Sequence, residues 1–313
     1  MTTGRIRVLA VVGPTATGKS DLAVALAQRL GGEIVNADSM QLYAGMDVGT
    51  AKLPEAERGG VAHHLLDVWP LTKSAAVAEY QAMARATIAG IAARGRVPIL
   101  VGGSGLYLRA AVDELDFPGT DPAVRARLEQ ELDRTGPGPL YARLAGLDPV
   151  AARGILPSNG RRIVRALEVI EVSGRPFTAT LPRYESVYPA VHLGLRVPRA
   201  ELDERIAARV DRMWQAGFVA EVRRLEQAGL RAGRTASRAL GYAQVLRFLA
   251  GQWTEQQARE ETVKATRRFA RRQEAWFRRD PRVSWLDAGP GTDPHRLALA
   301  TISTCGSARG MAP

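Results

Sequence analysis

Short apolar runs alternate with amphipathic stretches over the first third of the chain. Residues 6–13 (IRVLAVVG) are apolar and end in glycine, which predicts a buried strand followed by a tight turn. Residues 19–32 have apolar positions at helical spacing and end in Gly-Gly, and residues 32–38 predict a second strand. A long helix is predicted over 74–95, then a strand, a Gly-Gly turn and a helix over 97–112. This alternation predicts an α/β fold, a parallel sheet flanked by helices.

The pattern changes after residue 112. Residues 113–189 are arginine-rich, mainly helical in pattern and broken by FPGTDP, TGPGP and SGRPF, and strand character returns at 190–199. We therefore interpret 113–189 as a helical insertion into a core made of 1–112 and 190–290. The later elements of the core are predicted as helices over 201–229, 237–250 and 254–279 and a strand over 283–289.

Composition adds a preference for a polyanionic partner. The chain has 313 residues and a formal net charge of +11, of which residues 1–112 carry +3 and the remainder +8. Such a balance favours nucleic acid or an acidic membrane face. No apolar stretch approaches the roughly 18 residues of a membrane span, so we expect a cytoplasmic protein without a membrane partner.

Residues 291–313 show no regular pattern and are predicted to be a disordered tail. This segment contains Cys305, the only cysteine of the chain. A single cysteine excludes a disulfide within the chain and a metal cluster made of cysteines.

Residues 13–20 (GPTATGKS) have the spacing G-x-x-x-x-G-K-S of a phosphate-binding loop. Such a loop needs a strand before it and a helix after it, whose N-terminal N–H groups point at the anion, and the pattern predicts both. Lys19 would reach the outer phosphate, and the Ser20 hydroxyl would hold Mg²⁺. The predicted phosphate-binding residues are Gly13, Pro14, Thr15, Ala16, Thr17, Gly18, Lys19 and Ser20.

Two further polar residues follow predicted strands. Asp38 comes just after the second strand, at the edge that faces ligands in open parallel sheets, although a turn or helix N-cap role fits it equally well. Ser104 follows VPILVGG, and its hydroxyl either faces the site or caps the helix at 105–112. No acidic residue follows VPILVGG, which weakens an ATPase interpretation, because an ATPase usually places a magnesium-binding Asp after another strand.

Several segments resemble the tRNA dimethylallyltransferases, also called tRNA isopentenyltransferases. They are GPTATGKS, NADSMQLYAGMDVGTAK (36–52), HHLLDV (63–68), PILVGGSGLYL (98–108), RRIVRALEV (161–169) and ALGYAQ (239–244). Their order and spacing match the family over about residues 6 to 286, and the 36–52 segment is far more specific to it than the phosphate loop. The resemblance implies a P-loop NTPase-like fold and a monomer.

The family resemblance also implies a reaction. A dimethylallyl group would pass from dimethylallyl diphosphate to the exocyclic N6 amine of the adenine 3′-adjacent to the anticodon, in tRNAs that read codons beginning with U, and diphosphate would leave. The loop with Lys19 would hold the diphosphate together with Mg²⁺ on Ser20. The residue matching Asp38 acts as the base, and Ser104 stands where the family usually has threonine, which keeps the hydroxyl.

The resemblance maps tRNA contacts onto both parts of the chain. They are Asp38, Ser39, Met40, Gln41, Ser104, Arg125, Arg161, Arg162, Arg165, Arg238, Gly241 and Tyr242. Two positions depart from some members, which have Gln in place of Arg161 and a basic residue in place of Ala243. Residues 266–279 also place four arginines on one helix face, which either docks the tRNA backbone or is simply solvated.

Two other classes of function remain open from the sequence. Small-molecule kinases use the same loop and also place an acid after the second strand, and phosphoryl transfer from a nucleotide would identify one. A non-catalytic RNA-binding module would leave the intact phosphate loop unexplained. The basic downstream region and the absence of an acid after residue 101 favour the prenyl transfer.

Overall fold

The computed structural model describes residues 7–177 and 184–307, with side chains described as far as residue 304. The chain divides into two compact units. The first contains residues up to Asp113 and from Ser186 onward, and the second is Glu114–Glu185. In these described ranges, no helix is both long and apolar enough to cross a membrane.

A six-stranded parallel sheet forms the centre of the first unit. Its strands run in the order β3-β2-β4-β1-β5-β6, so neighbours in the sheet are joined by crossovers. The central strands are continuous apolar runs, which is typical of parallel strands that helices cover on both faces. The strands are β1 (Val8–Val12), β2 (Gly32–Asn36), β3 (His63–His64), β4 (Val97–Gly102), β5 (Ala190–Arg196) and β6 (Val283–Asp287).

The described residues form twelve α-helices, of which α4 to α7 belong to the second unit and the others to the first. They are α1 (Lys19–Leu30), α2 (Val77–Ala93), α3 (Gly105–Val112), α4 (Pro122–Thr135), α5 (Pro137–Leu147), α6 (Pro149–Arg153), α7 (Gly160–Ser173), α8 (Arg199–Gln215), α9 (Phe218–Gln227), α10 (Tyr242–Leu249), α11 (Glu255–Phe277) and α12 (Pro294–Ser307). The predicted fold class, a parallel sheet flanked by helices with a helical insertion and further C-terminal helices, is confirmed.

The predicted helix at 201–229 is two helices in the structure. They separate at Gly217, whose φ of 87° is left-handed and ends the regular hydrogen bonding of α8. The predicted helix at 237–250 begins later than expected. A 3₁₀ turn spans Ala236–Arg238, and α10 starts only at Tyr242.

The prediction of a disordered tail over 291–313 is wrong for residues 294–307, which form α12. Asp293 begins the helix by accepting a hydrogen bond from the Arg296 N–H at 3.0 Å. Ala298 is fully buried, and Leu299 and Ile302 pack beside it on the core that includes α1 and β6. The apolar positions 298, 299 and 302 give one helical face, and the tertiary contact with α1 and β6 stabilises it. Residues 308–313 lie outside the described residues.

The second unit has a hydrophobic core of its own. Leu128, Leu140, Leu144, Ile163 and Leu167 are buried together where α4, α5 and α7 pack on one another. The unit thus buries its apolar helix faces internally.

Candidate active site

Three loops of the first unit meet at one edge of the sheet. Strands β2, β4 and β1 lie side by side and run parallel, so their carboxyl ends are adjacent. The chain after each of these strands carries predicted site residues, among them Asp38 after β2, Ser104 after β4 and Lys19 after β1. This edge is where open parallel sheets bind ligands.

Two side chains of the phosphate loop donate hydrogen bonds to a carbonyl group of the same loop. The Pro14 carbonyl accepts a hydrogen bond from Thr17 Oγ1 at 2.9 Å and another from Lys19 Nζ at 2.5 Å. Gly18 has a left-handed φ of 88°, and α1 begins at the next residue. The loop therefore presents the N-terminus of α1, whose N–H groups and dipole favour an anion.

The pKa of Lys19 is lowered to about 7, chiefly by burial and also by the positive charge of Arg209, while the negative charge of Asp38 opposes the shift. The pKa of Arg209 is lowered by burial as well, with Asp38 opposing that shift. Two cations and one carboxylate therefore interact electrostatically at this edge. An anion placed between the cations would stabilise their charged forms.

Arg209, which lies on α8, was not predicted from the sequence. The buried stripe of this helix is made of Leu202, Ile206 and Val210. Arg209 stands three residues after Ile206 and beside Val210, so a half-buried cation lies at the margin of the apolar stripe. Its Nη2 donates to the Thr50 carbonyl at 3.3 Å. No sequence signal singles out Arg209, because Arg205 stands in the same relation to Leu202 and Ile206.

Asp38 stands in a tight turn and not at the start of a helix. Its Oδ1 accepts a hydrogen bond from the Met40 N–H at 2.9 Å. The buried side-chain amide of Asn36 holds the backbone of Asp38 by two hydrogen bonds. Asn36 Oδ1 accepts the Asp38 N–H at 2.8 Å, and Asn36 Nδ2 donates to the Asp38 carbonyl at 3.0 Å. These bonds fix the carboxylate through Oδ1 and the backbone, and Oδ2 takes no part in them.

The Ser104 hydroxyl points to the second-strand loop. Its Oγ accepts the Ser39 N–H at 3.2 Å and lies 3.3 Å from Ser39 Oγ. Ser104 precedes α3, but its side chain makes no capping hydrogen bond to that helix. The hydroxyl therefore joins two loops of the site.

Comparison with known proteins identifies the family. The model of the IPP transferase family matches residues 41–280. The chain belongs to the IPP transferase family. It is 69% identical over 95% of its length to the tRNA dimethylallyltransferase of Streptomyces coelicolor, 96% of which is covered. It is 73% identical to the tRNA dimethylallyltransferase of Thermobifida fusca, over 89% of each chain. The resemblance stated from the motifs is confirmed.

Solved structures of other IPP transferases have the same fold. The full-length tRNA isopentenylpyrophosphate transferase of Bacillus halodurans superposes with a TM-score of 0.72 at 36% identity, covering 98% of this chain and 100% of its own. A eukaryotic dimethylallyltransferase acting on tRNA superposes with a TM-score of 0.78 at 25% identity, covering 98% of this chain and 78% of its own. These likenesses agree with the P-loop NTPase-like fold that the motifs predicted.

In this IPP transferase, a buried carboxylate holds the loop that follows Asp38. Glu221, on α9, accepts hydrogen bonds from the N–H groups of Asp47, Val48 and Gly49 at 2.7 to 3.2 Å. The Tyr242 hydroxyl donates a fourth bond to it at 2.6 Å. These contacts fix the segment that carries the Thr50 carbonyl.

The Thr50 carbonyl joins the two sides of the site. It accepts a hydrogen bond from Gln41 Nε2 at 3.2 Å and another from Arg209 Nη2 at 3.3 Å. Gln41 is a predicted tRNA contact, and Arg209 interacts with Lys19. Sequence patterns did not reveal this arrangement, because the acceptor that the two side chains share is a backbone carbonyl.

We expect Glu221→Ala to lower the free energy of unfolding by about 1–3 kcal/mol, because three backbone N–H groups lose their acceptor in a buried place. Tyr242→Phe removes one hydrogen bond and keeps the ring, so about 1 kcal/mol is expected. Denaturant unfolding of both variants measures the difference. Equal losses for the two would show that the backbone contacts of Glu221 contribute nothing.

The predicted tRNA-binding arginines of the second unit fall into two pairs. Arg125 and Arg165 both form ion pairs with Glu168, which is fully buried on α7. Arg161 and Arg162 are exposed in the first turn of the same helix. The first pair is held in place by a carboxylate, and the second pair is exposed at the surface.

The predicted contacts around α10 differ in exposure. Arg238 is exposed, whereas Gly241 and Tyr242 are buried. The Tyr242 hydroxyl is engaged by Glu221, and burial raises the pKa of this tyrosine. The structure thus places Tyr242 beneath the surface, where it supports the Asp47–Gly49 segment, and leaves its tRNA contact a prediction.

Helix α11 has one basic face and one buried face. Arg268, Arg271 and Arg272 are exposed, and Arg267 is half-buried, with its Nη2 donating to the Asp203 carbonyl at 3.1 Å. The opposite face buries Ala258, Thr262, Thr266, Ala270, Gln273 and Phe277. The basic face is therefore a property of the folded helix.

Proposed function

We propose that the chain transfers the dimethylallyl group of dimethylallyl diphosphate to the exocyclic N6 amine of the adenine 3′-adjacent to the anticodon, in tRNAs that read codons beginning with U. The observation that carries this proposal is the placement of Asp38 and Lys19 at one sheet edge, within electrostatic reach of each other. The names of the relatives support the same donor and the same kind of acceptor.

The donor loses its diphosphate as the allylic C–O bond breaks, and negative charge builds on the departing oxygen. The N–H groups at the start of α1 and the Lys19 ammonium would stabilise that charge. The Arg209 guanidinium lies near enough to shift the pKa of Lys19 and would add a second cation. No protein nucleophile is needed, because the adenine amine attacks the allylic carbon directly.

The adenine amine is a weak nucleophile, because its lone pair is delocalised into the ring. It must lose a proton as the new N–C bond forms, and Asp38 Oδ2 would accept that proton. The Met40 N–H and the Asn36 amide hold Asp38 in place for this step. Ser104 Oγ, joined to Ser39, stands at the same edge and would hydrogen-bond to the substrate.

Mg²⁺ fits the residues at the start of α1. Ser20 is exposed in the first turn of that helix, beside Lys19, and its hydroxyl oxygen is a ligand of the type that Mg²⁺ prefers. Among the described residues, no group of three or more His, Cys, Asp and Glu side chains forms a metal site. Mg²⁺ would therefore depend on diphosphate oxygens and Ser20, and it would neutralise charge on the leaving group.

The tRNA would dock through the arginines of both units and the exposed face of α11. Enzymes that act on a base take it out of its stack, so we infer that the target adenine is flipped toward Asp38. Arg161 and Arg162 would contact phosphates, as would Arg238. We further propose that the enzyme acts as a monomer in the cytoplasm.

We expect radiolabel from dimethylallyl diphosphate to enter tRNA when the protein, Mg²⁺ and an unmodified tRNA with adenine at the target position are combined. The matched control is the same tRNA with guanine at that position. Guanine carries an oxygen on C6 in place of the N6 amine, so this tRNA should take up no label. Equal labelling of both tRNAs would contradict the proposed acceptor. Consumption of ATP in a parallel reaction, without any labelling of tRNA, would indicate a kinase instead.

A further inference from the structure

A buried glutamine bridges two of the three loops at the site. Gln273, on α11, is 4% exposed. Its Oε1 accepts a hydrogen bond from the N–H of Thr15 in the phosphate loop at 2.9 Å, and its Nε2 donates to the Gly103 carbonyl at 3.0 Å. One side chain therefore joins the donor loop to the residue before Ser104, across 258 positions of sequence in the first case.

Helix α11 leaves no room for side chains on either side of Ser104. A Cβ at Gly103 would lie 2.0 Å from Gln273 Nε2, and a Cβ at Gly105 would lie 2.0 Å from the ring of Trp276. Gln273 and Trp276 lie one turn apart on the same helix. Gln273 therefore packs on Gly103, before Ser104, and Trp276 packs on Gly105, after it. The two glycines allow the close approach of α11 that the Gln273 bridge requires.

We propose that Gln273 is a positioning residue that fixes the phosphate loop and the Ser104 loop relative to each other. This inference rests on the proposed function, since it concerns the cradle for the donor diphosphate. Its amide donates to one loop and accepts from the other, which a carboxylate or a hydrocarbon of similar length cannot do. The Thr15 N–H is then part of the framework and not a ligand of the diphosphate.

Two substitutions separate the two hydrogen bonds. Gln273→Met has similar length and removes both bonds, so both loops lose their shared anchor. Gln273→Glu keeps an acceptor for the Thr15 N–H but places its other oxygen against the Gly103 carbonyl, where two acceptors repel. Thr266→Val is the control, because Thr266 is buried on the same helix face and its hydroxyl bonds only within α11, to the Thr262 carbonyl.

The experiment measures the binding of inorganic diphosphate with Mg²⁺ by calorimetry, and the KM values for dimethylallyl diphosphate and for tRNA. We expect Gln273→Met to weaken diphosphate binding and raise the donor KM by about ten-fold or more, with the KM for tRNA unchanged. Gln273→Glu should likewise weaken diphosphate binding and raise the KM for dimethylallyl diphosphate. Thr266→Val should match the wild type in all three measurements.

Wild-type diphosphate affinity in both Gln273 variants would overturn the proposal, as would a rise in the tRNA KM equal to that in the donor KM. The melting temperatures of the wild type and the three variants identify any variant that has lost its fold. If one Gln273 variant does not fold, the other Gln273 variant tests the proposal. Label transfer by the wild type tests the proposed function separately. Calorimetry with diphosphate needs no turnover, so it decides the role of Gln273 even if no transfer occurs.

Discussion

Asp38→Asn should reduce the rate of label transfer to tRNA by about 10²–10⁴-fold, the usual contribution of a positioned general base. The amide cannot accept the proton that the adenine amine must lose. The tRNA should still bind with nearly wild-type affinity, because the arginines that would dock it lie elsewhere. Single-turnover transfer with excess enzyme, measured beside filter binding of the tRNA, separates the two effects.

Asparagine is the cleanest substitution because it preserves the turn. Its Oδ1 can accept the Met40 N–H as Asp38 does, and the contacts of Asn36 with the backbone at residue 38 are unchanged. The variant thus removes the basic group and keeps the geometry. Ser104→Ala is the matched control, because it loses a hydroxyl at the same edge and not a base. Near-normal transfer by Asp38→Asn would show that another group accepts the proton.

The loops of the site could be predicted from the sequence because each follows an apolar strand and carries a local motif. The spacing of GPTATGKS after β1 defines the phosphate loop, whereas Asp38 after β2 and Ser104 after β4 each also fitted a helix N-cap, and the family resemblance favoured the site role. Parallel pairing then brings the three together, since the carboxyl ends of parallel strands share an edge. The open question about Ser104 needed the structure, because a helix N-cap and a site hydroxyl occupy the same position.

The residues that support the site could not be predicted in this way. Gln273 contacts Thr15 across most of the chain, and Glu221 binds backbone N–H groups more than 170 positions away. Neither residue stands in a pattern that reveals these partners, because the Thr15 N–H, the Gly103 carbonyl and the N–H groups of residues 47–49 are main-chain groups. Arg209 could not be predicted either, because Arg205 stands in the same relation to the apolar stripe of α8.

The α12 helix shows a different limit of sequence patterns. Its apolar residues are few and stand among small and polar ones, so the segment has no strong amphipathic signal. Burial of Ala298 against the core stabilises the helix, and an alanine in the sequence does not predict such a contact. The intrinsic helix propensity of so short a segment is too weak to fold it in isolation, so tertiary packing determines whether the helix forms.

Lys19→Ala should weaken the binding of the donor diphosphate by about ten- to hundred-fold, the value of one charge-assisted hydrogen bond. The contact of Lys19 with the Pro14 carbonyl shows that its ammonium reaches over the loop. Titration with dimethylallyl diphosphate and Mg²⁺ measures the loss. Lys73→Ala is the matched control, because Lys73 pairs with Glu79 on the surface. Equal affinity of Lys19→Ala and wild type would exclude Lys19 from the cradle.

The lowered pKa of Lys19 adds a pH dependence with a definite sign. Its pKa is about 7 in the folded protein against 10.5 for an ordinary lysine, so above pH 7 the free protein holds Lys19 mostly neutral. The unfolded chain binds more protons between these values, so the contribution of Lys19 to folding stability increases with pH across that window. A bound diphosphate favours the charged ammonium and raises the pKa again.

Donor binding above pH 7 should therefore take up a proton, and the affinity of the wild type should fall as pH rises. Calorimetry in two buffers with different ionisation enthalpies counts the proton, and Lys19→Ala should lack it. Arg209→Met should move the fall in affinity to higher pH, because the arginine's charge is one cause of the low pKa. A wild-type affinity that is flat from pH 7 to pH 9, with no proton uptake, would mean that Lys19 is already charged before the diphosphate arrives.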